Sequence, residues 1–97
     1  MASNFKIITH RNSDNLHMKL IGDFDATSAY KLVDMLKDTD KGIRKVFIHT
    51  NGLNDIYPFG QGVFENESYK FIGRFNEVVF TGENARQIAL RGMRILS

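Results

Sequence analysis

The chain predicts an α/β domain, with an N-terminal β-hairpin followed by an α-β-α-β-α series around a mixed four-stranded sheet. Three observations predict it. Two segments that alternate apolar with other side chains, Phe5 to Thr9 and Leu16 to Leu20, flank the turn-forming run Asn12-Ser13-Asp14-Asn15. Ala29, Leu32, Val33 and Leu36 then recur at the i, i+3, i+4, i+7 spacing of an amphipathic helix. Beyond them, the apolar runs Val46-Phe47-Ile48 and Val78-Val79-Phe80 each lead into a further helical pattern, the alternation that builds parallel sheets. At 97 residues, with 42% hydrophobic and 25% charged side chains and one proline, the chain suits a single soluble domain over residues 1–97, too small for a second lobe.

In the hairpin, taking Asn12 to Asn15 as the loop sets Arg11 opposite Leu16, His10 opposite His17, Thr9 opposite Met18 and Ile7 opposite Leu20. That register sends Phe5, Ile7, Met18 and Leu20 to one face and both histidines to the other. The first helix follows Asp23-Phe24-Asp25, with Asp25 or Thr27 as its cap and Lys31, Asp34 and Lys37 on its polar side, and turns back near Gly42. Val46 to Thr50 is expected as the central strand, covered on both faces because its apolar triplet is continuous. A polar loop leads from it to a second helix starting near Phe59 or Gly60, kept short or irregular by two glycines and the run Glu65-Asn66-Glu67-Ser68. Glu77 to Thr81 is expected as the last strand. Glu83 to Arg91 follows as a helix with Ala85, Ile88, Ala89 and Gly92 on one stripe, and with Thr81 or Asn84 near its cap.

Composition excludes several classes. The net charge is +2 and the 13 basic residues are dispersed, which argues against nucleic acid as a partner. Arg86, Arg91 and Arg94 cluster in the last helical segment, where a solvated face with cations near a helix C-terminus explains them more simply than anion binding. The absence of cysteine excludes thiolate zinc sites, redox pairs and disulfides. No window is long and apolar enough to span a bilayer, and Met1 to Asn4 lead into an alternating segment instead of a leader-type apolar core. No membrane contact and a cytoplasmic location are therefore expected.

The strand-to-helix segment Ile56-Tyr57-Pro58-Phe59-Gly60-Gln61-Gly62-Val63-Phe64 lies where open α/β sheets place function, and its tip is bulky and mostly apolar. Leu20-Ile21-Gly22-Asp23-Phe24-Asp25 leading to Ala29 resembles the opening of the first helix in the STAS family, the small domain of anti-sigma-factor antagonists and of sulfate-transporter tails. Val46 to Gly60 resembles that family's central strand and loop, with Ile56 and Gly60 matching and Gly62, Val63 and Phe64 continuing the likeness. The departures fall on the functional positions. His49 stands for a strand-end aspartate, Tyr57 for the loop aspartate, Pro58 for the phospho-accepting serine and Phe59 for its hydroxyl neighbour.

The resemblance implies a bacterial, cytoplasmic, non-enzymatic signalling module that regulates by binding another protein, an anti-sigma factor or a kinase-like regulator, with a homodimer also compatible. In the antagonist branch, phosphorylation of the serine breaks an interface by charge and desolvation. Pro58 and Phe59 carry no hydroxyl, so no phosphoswitch is expected at that position; Thr50, Ser68 or Tyr57 have the chemistry to be modified instead. The expected partner surface comprises Asp55, Tyr57, Pro58, Phe59, Gly60, Gln61 and Phe64. Phe59 and Phe64 supply apolar contact or support, Gly60 and Gly62 close approach, and Asp55, Gln61 and Glu65 a polar rim. Against this stands inward packing of Phe59, with Pro58 simply suiting a first helical turn.

The alternative is a small-molecule or nucleotide sensor using the crevice at the strand ends near Asp23, Asp25 and Tyr57. Gly60-Gln61-Gly62 echoes a phosphate loop, yet lacks the third glycine of a dinucleotide motif and the lysine-hydroxyl ending of a P-loop. Asp23, Asp25 and Asp55 read more simply as a helix cap and loop acids than as a cation or acid-base site. No cofactor is expected. His10 and His17 face each other closely enough to reach one metal, but two ligands are an incomplete site and a solvated pair is the simpler account, so no metal is expected. His49 beside Thr50 suggests a base next to a hydroxyl, although adjacent strand residues point to opposite faces. No nucleophile, base and orienting group assemble from motifs, and no enzyme activity is expected.

Overall fold

The hairpin forms in the expected register. In the computed structural model, which describes residues 4–96, β1 (Lys6–Asn12) and β2 (Asn15–Phe24) run antiparallel with Arg11 opposite Leu16, His10 opposite His17 and Ile7 opposite Leu20. Asn12 and Asn15 themselves pair, so the loop is the two-residue turn Ser13-Asp14 rather than four residues, and Ser13 at φ 61° supplies the positive φ of a tight hairpin turn. Phe5, Met18 and Leu20 are buried and Ile7 packs against them, as the alternation requires.

Helix α1 (Ala26–Lys37) is capped by Asp25, whose Oδ1 accepts the Ser28 N–H at 2.9 Å. Its stripe Ala29, Leu32, Val33 and Leu36 is fully buried. Strand β3 (Lys45–Ile56) then runs parallel to β2 and is longer than its apolar triplet suggests. The stretch expected as a polar loop continues the strand, because after a register shift Gly52, Leu53 and Ile56 still pair with Ile21, Gly22 and Phe24. Helix α2 (Pro58–Glu67) starts one to two residues earlier than expected and ends in a 3-10 turn, Ser68–Lys70.

Among the described residues the sheet has five strands, not four. After β4 (Glu77–Thr81) the chain makes a single helical turn, α3 (Ala85–Ile88), and returns as β5 (Arg94–Leu96), which pairs parallel to β4. The helix expected over residues 83–91 stops because Ala89 turns extended, at φ −61° and ψ 139°. Ala85 and Ile88 do face the core, while Ala89, Leu90, Met93 and Ile95 reach it from irregular backbone and a strand, so a helix-like spacing was satisfied by a single helical turn and the chain after it. Consequently Arg86, Arg91 and Arg94 share no helix face. Arg94 lies on β5 and donates to Glu77 at 3.1 Å, and Glu77 also takes Lys45 at 3.2 Å.

The strands lie in the order β1-β2-β3-β4-β5, parallel from β2 onward. The helices pack together on one face, over a core that includes Phe24, Phe64, Phe71 and Phe80 in successive ring contacts of 6.4, 5.5 and 5.9 Å about Phe64. β3 is central in order but is covered by helices on this face only. Val46 and Ile48 are buried there, and half-buried Phe47 points the other way. Two cross-strand rows therefore lie on the helix-free face: His10, His17, Phe47, Val79 and Arg94 in one, and Ile8, Lys19, His49, Thr81 and Leu96 in the other.

Candidate functional site

The ends of β2 and β3 hold the first turn of α2 in place through the backbone. The Tyr57 N–H donates to the Phe24 carbonyl at 3.0 Å, and the Asp55 N–H to Asp23 Oδ1 at 3.3 Å. Gly60 lies so close to the turn before α1 that a Cβ on it would sit 2.5 Å from the Phe24 carbonyl oxygen and 2.9 Å from that of Asp25. Pro58 occupies the first helical position, where its missing N–H is not needed. With the backbone pinned in this way, Phe59 projects outward at 84% exposure beside Tyr57 at 44%. Inward packing of Phe59 is thereby ruled out.

The expected partner surface divides. Asp55, Tyr57, Pro58 and Phe59 are exposed together, and half-buried Gln61 donates from Nε2 to the Gln87 carbonyl at 2.7 Å, tying α2 to α3. Phe64 is fully buried among Phe24, Phe71 and Phe80, so it supports the helix and meets no partner directly. Gly60 is likewise buried; its close approach is to this chain's own backbone. Asp23 and Asp25, the alternative ligand residues, are engaged in structure. Burial of the Asp25 carboxyl works to raise its pKa, but hydrogen bonds from the Ser28 N–H and hydroxyl, together with the charge of the N-terminal amino group, hold the group below its ordinary value. The Ser28 hydroxyl also bonds the Asp23 carbonyl at 2.6 Å.

A second constellation escaped sequence reasoning. On the helix-free face, His17 Nδ1 lies 2.8 Å from His49 Nε2, and His49 Nδ1 lies 2.6 Å from Thr81 Oγ1. The 2.8 Å contact spans much of the 5.1 Å between ring centres, and the planes differ by 5°, so the imidazoles meet edge to edge. Phe47 stacks on His17 with centroids 4.6 Å apart. Burial, followed by the charges of His17 and Lys19, pushes the His49 imidazole below its ordinary pKa. An N···N contact of this length holds one proton, so the two rings cannot both be imidazolium without separating. Thr50, the hydroxyl next to His49 in sequence, points into the core and donates to the Thr81 carbonyl at 2.7 Å, in keeping with strand alternation. The signal for His49 and Thr81 lay in strand register across β3 and β4, which no local motif encodes.

Elsewhere, a groove of about 690 Å³ runs between β1 and α1, lined by Phe5, Ile7, Leu16, Met35 and Ile43, with the Arg11–Asp40 ion pair at 2.6 Å on its rim. It does not include Asp23, Asp25 or Tyr57. Among the described residues, no group of three or more histidine or acidic side chains is placed to hold a metal ion, and no helix is long and apolar enough to cross a membrane.

No family model matches the sequence, and no curated protein matches it. Solved structures do match. Mglu superposes with a TM-score of 0.67 at 21% identity, over 84% of this chain and 20% of Mglu, so the chain spans about a fifth of that protein's length. The anti-sigma factor antagonist SpoIIAA in its unphosphorylated form superposes with a TM-score of 0.67 at 9% identity, over 96% of this chain and 87% of SpoIIAA. An uncharacterized protein from Shewanella loihica with a SpoIIAA-like fold gives a TM-score of 0.64 at 15% identity, over 100% of this chain and 88% of that one. With nearly the whole of this chain superposing on 87 and 88% of two such proteins, the fold built here from a hairpin, parallel strands and one helical layer is the SpoIIAA-like, STAS-like α/β fold.

Proposed function

We propose that this chain is a non-enzymatic regulatory module that binds another protein through the exposed first turn of α2. The observation that carries the reading is Phe59, 84% exposed on a turn whose backbone is fixed by Gly60 and by the Tyr57 hydrogen bond. An aromatic anchor on a fixed backbone loses less entropy on binding than one on a mobile loop, and Tyr57 extends its contact area. Asp55 supplies a polar rim. The structural likeness to an anti-sigma factor antagonist supports a partner of the anti-sigma-factor or kinase-like class. Pro58, at the position the family resemblance gives to a phospho-accepting serine, makes binding constitutive or regulated at another residue.

The Thr81, His49 and His17 chain has the order of nucleophile, base and orienting group. It lies on the open sheet face with both rings only half-buried, where water competes for every charge a reaction would develop. That supports a structural rather than catalytic reading.

The test is affinity capture from lysate of the native organism, with Phe59→Asp and Gln61→Lys variants and mass-spectrometric identification. The expected result is a regulator of that class captured by the wild type and lost in Phe59→Asp, while circular dichroism shows both variants folded. Capture that survives both substitutions sinks the proposal.

A further inference from the structure

We propose that His10 and His17 form a cross-strand chelate for a divalent transition-metal ion of the zinc, nickel and copper class, with His49 and Thr81 as positioning residues that orient the His17 ring. The two histidines are directly opposite in the β1–β2 register and lie on the helix-free face. Opposed residues in an antiparallel pair have Cβ atoms about 4.5–5.5 Å apart, within reach of one ion at about 2.0–2.1 Å from each nitrogen. Imidazole pairs favour these metals over calcium or magnesium.

An ordinary surface pair binds weakly because each ring must be ordered and set in the right tautomer. Here one ring is already ordered. His17 stacks on Phe47 at 4.6 Å and meets His49 through Nδ1 at 2.8 Å. Proton counting allows two directions for this chain of hydrogen bonds, and one of them frees a ligating nitrogen on His17. When His49 donates from Nδ1 to Thr81 Oγ1, its Nε2 carries a lone pair and accepts the proton on His17 Nδ1, which leaves the lone pair of His17 on Nε2. A metal at Nε2 selects that arrangement, and a ligating imidazole whose other N–H is bound by a partner is the usual way proteins fix a metal-binding ring. His10 is exposed, so its ring turns to the ion without disturbing the core, and the open face leaves the remaining positions to water. This inference is independent of the α2 surface.

The experiment titrates zinc chloride into the full chain, free of any histidine tag, by calorimetry near neutral pH, with 15N-histidine NMR as the second readout. One saturable site per chain is expected, with NMR placing zinc on His17 Nε2 while Nδ1 keeps its proton. His10→Ala and His17→Ala should each weaken binding at least about tenfold, and His49→Gln and Thr81→Val, which remove no ligand, by about tenfold or more. The proposal is overturned by the absence of saturable binding below millimolar zinc, by unchanged affinity in either alanine variant, or by zinc on His17 Nδ1. Unchanged affinity in the folded Thr81→Val variant also overturns it, because it leaves only an unoriented surface pair; that variant carries this arm should His49→Gln fail to fold.

Discussion

Gly60 and Gly62 sit two residues apart in the same helix, yet alanine should stabilise the protein at Gly62 and not at Gly60. Both lie within α2, so each substitution gains helix propensity of about 0.8–1.0 kcal/mol. A Cβ on Gly62 has nothing within 4 Å, so the gain is the whole effect. Gly62→Ala should raise the melting temperature by about 4–8 °C in a domain of this size. A Cβ on Gly60 lies 2.5 and 2.9 Å from two backbone carbonyl oxygens, neither of which can rotate aside as a side chain would. Overpacking of that kind costs about 1–3 kcal/mol, which cancels or exceeds the propensity gain. The two variants should therefore differ by about 1–3 kcal/mol in urea-induced unfolding followed by circular dichroism, with Gly62→Ala the more stable. Displacement of the first turn of α2 should also weaken partner capture in Gly60→Ala and leave it intact in Gly62→Ala. If Gly60→Ala is stabilised as much as Gly62→Ala, α2 does not rest on the turn before α1 and Phe59 is not rigidly presented.

Asp25→Ala removes the α1 cap and should cost about 1 kcal/mol at neutral pH. Because the folded-state pKa of Asp25 is depressed, that contribution is present above the unfolded value and lost as pH falls through the folded one, so unfolding curves of wild type and variant should converge in acid. His49 has the opposite charge type with a depressed folded-state pKa, so the unfolded chain binds more protons just below its ordinary value of about 6.5. Stability should fall as pH drops from about 7 through that range, measured with EDTA present to exclude metal, and His49→Gln should flatten the dependence; an equal slope in the variant would remove His49 as its source.

Legibility from sequence followed the range of the interaction. The hairpin register was readable because alternation and four turn residues are local, and a slip of one residue would have exposed Phe5, Met18 and Leu20. The α1 cap was narrowed to Asp25 or Thr27 for the same reason, and the structure selects Asp25. Strand β5 was not: Arg94-Ile95-Leu96 is three residues long and follows apolar positions whose spacing also suits a helix, so only pairing with β4 defines it. The helix-free face of β3 was missed because Val46-Phe47-Ile48 is apolar throughout, although Phe47 finds its apolar partner in the His17 ring on an uncovered face. The strand-to-helix segment stood out in the sequence as a candidate surface, but its exposed and buried members were separable only once α2 was placed, with Phe59 outside and Phe64 inside.

Fold likeness at 9 to 21% identity transmits a backbone and few side chains, so function has to be argued from what this chain builds on it. The arrangement at the strand ends assigns the two halves of the loop segment different tasks. Gly60 and Phe64 face inward and fix the helix, while Tyr57, Pro58 and Phe59 are exposed, Phe59 most of all at 84%. A rigid turn that presents an aromatic ring to water contributes no core burial, and its fixed position lowers the entropy that a partner must overcome. On the proposed reading, partner contact depends on a ring carried by a turn whose backbone is fixed by packing, so regulation of this surface is expected to act by moving α2 or covering Phe59 and not by charging the residue at its first helical position.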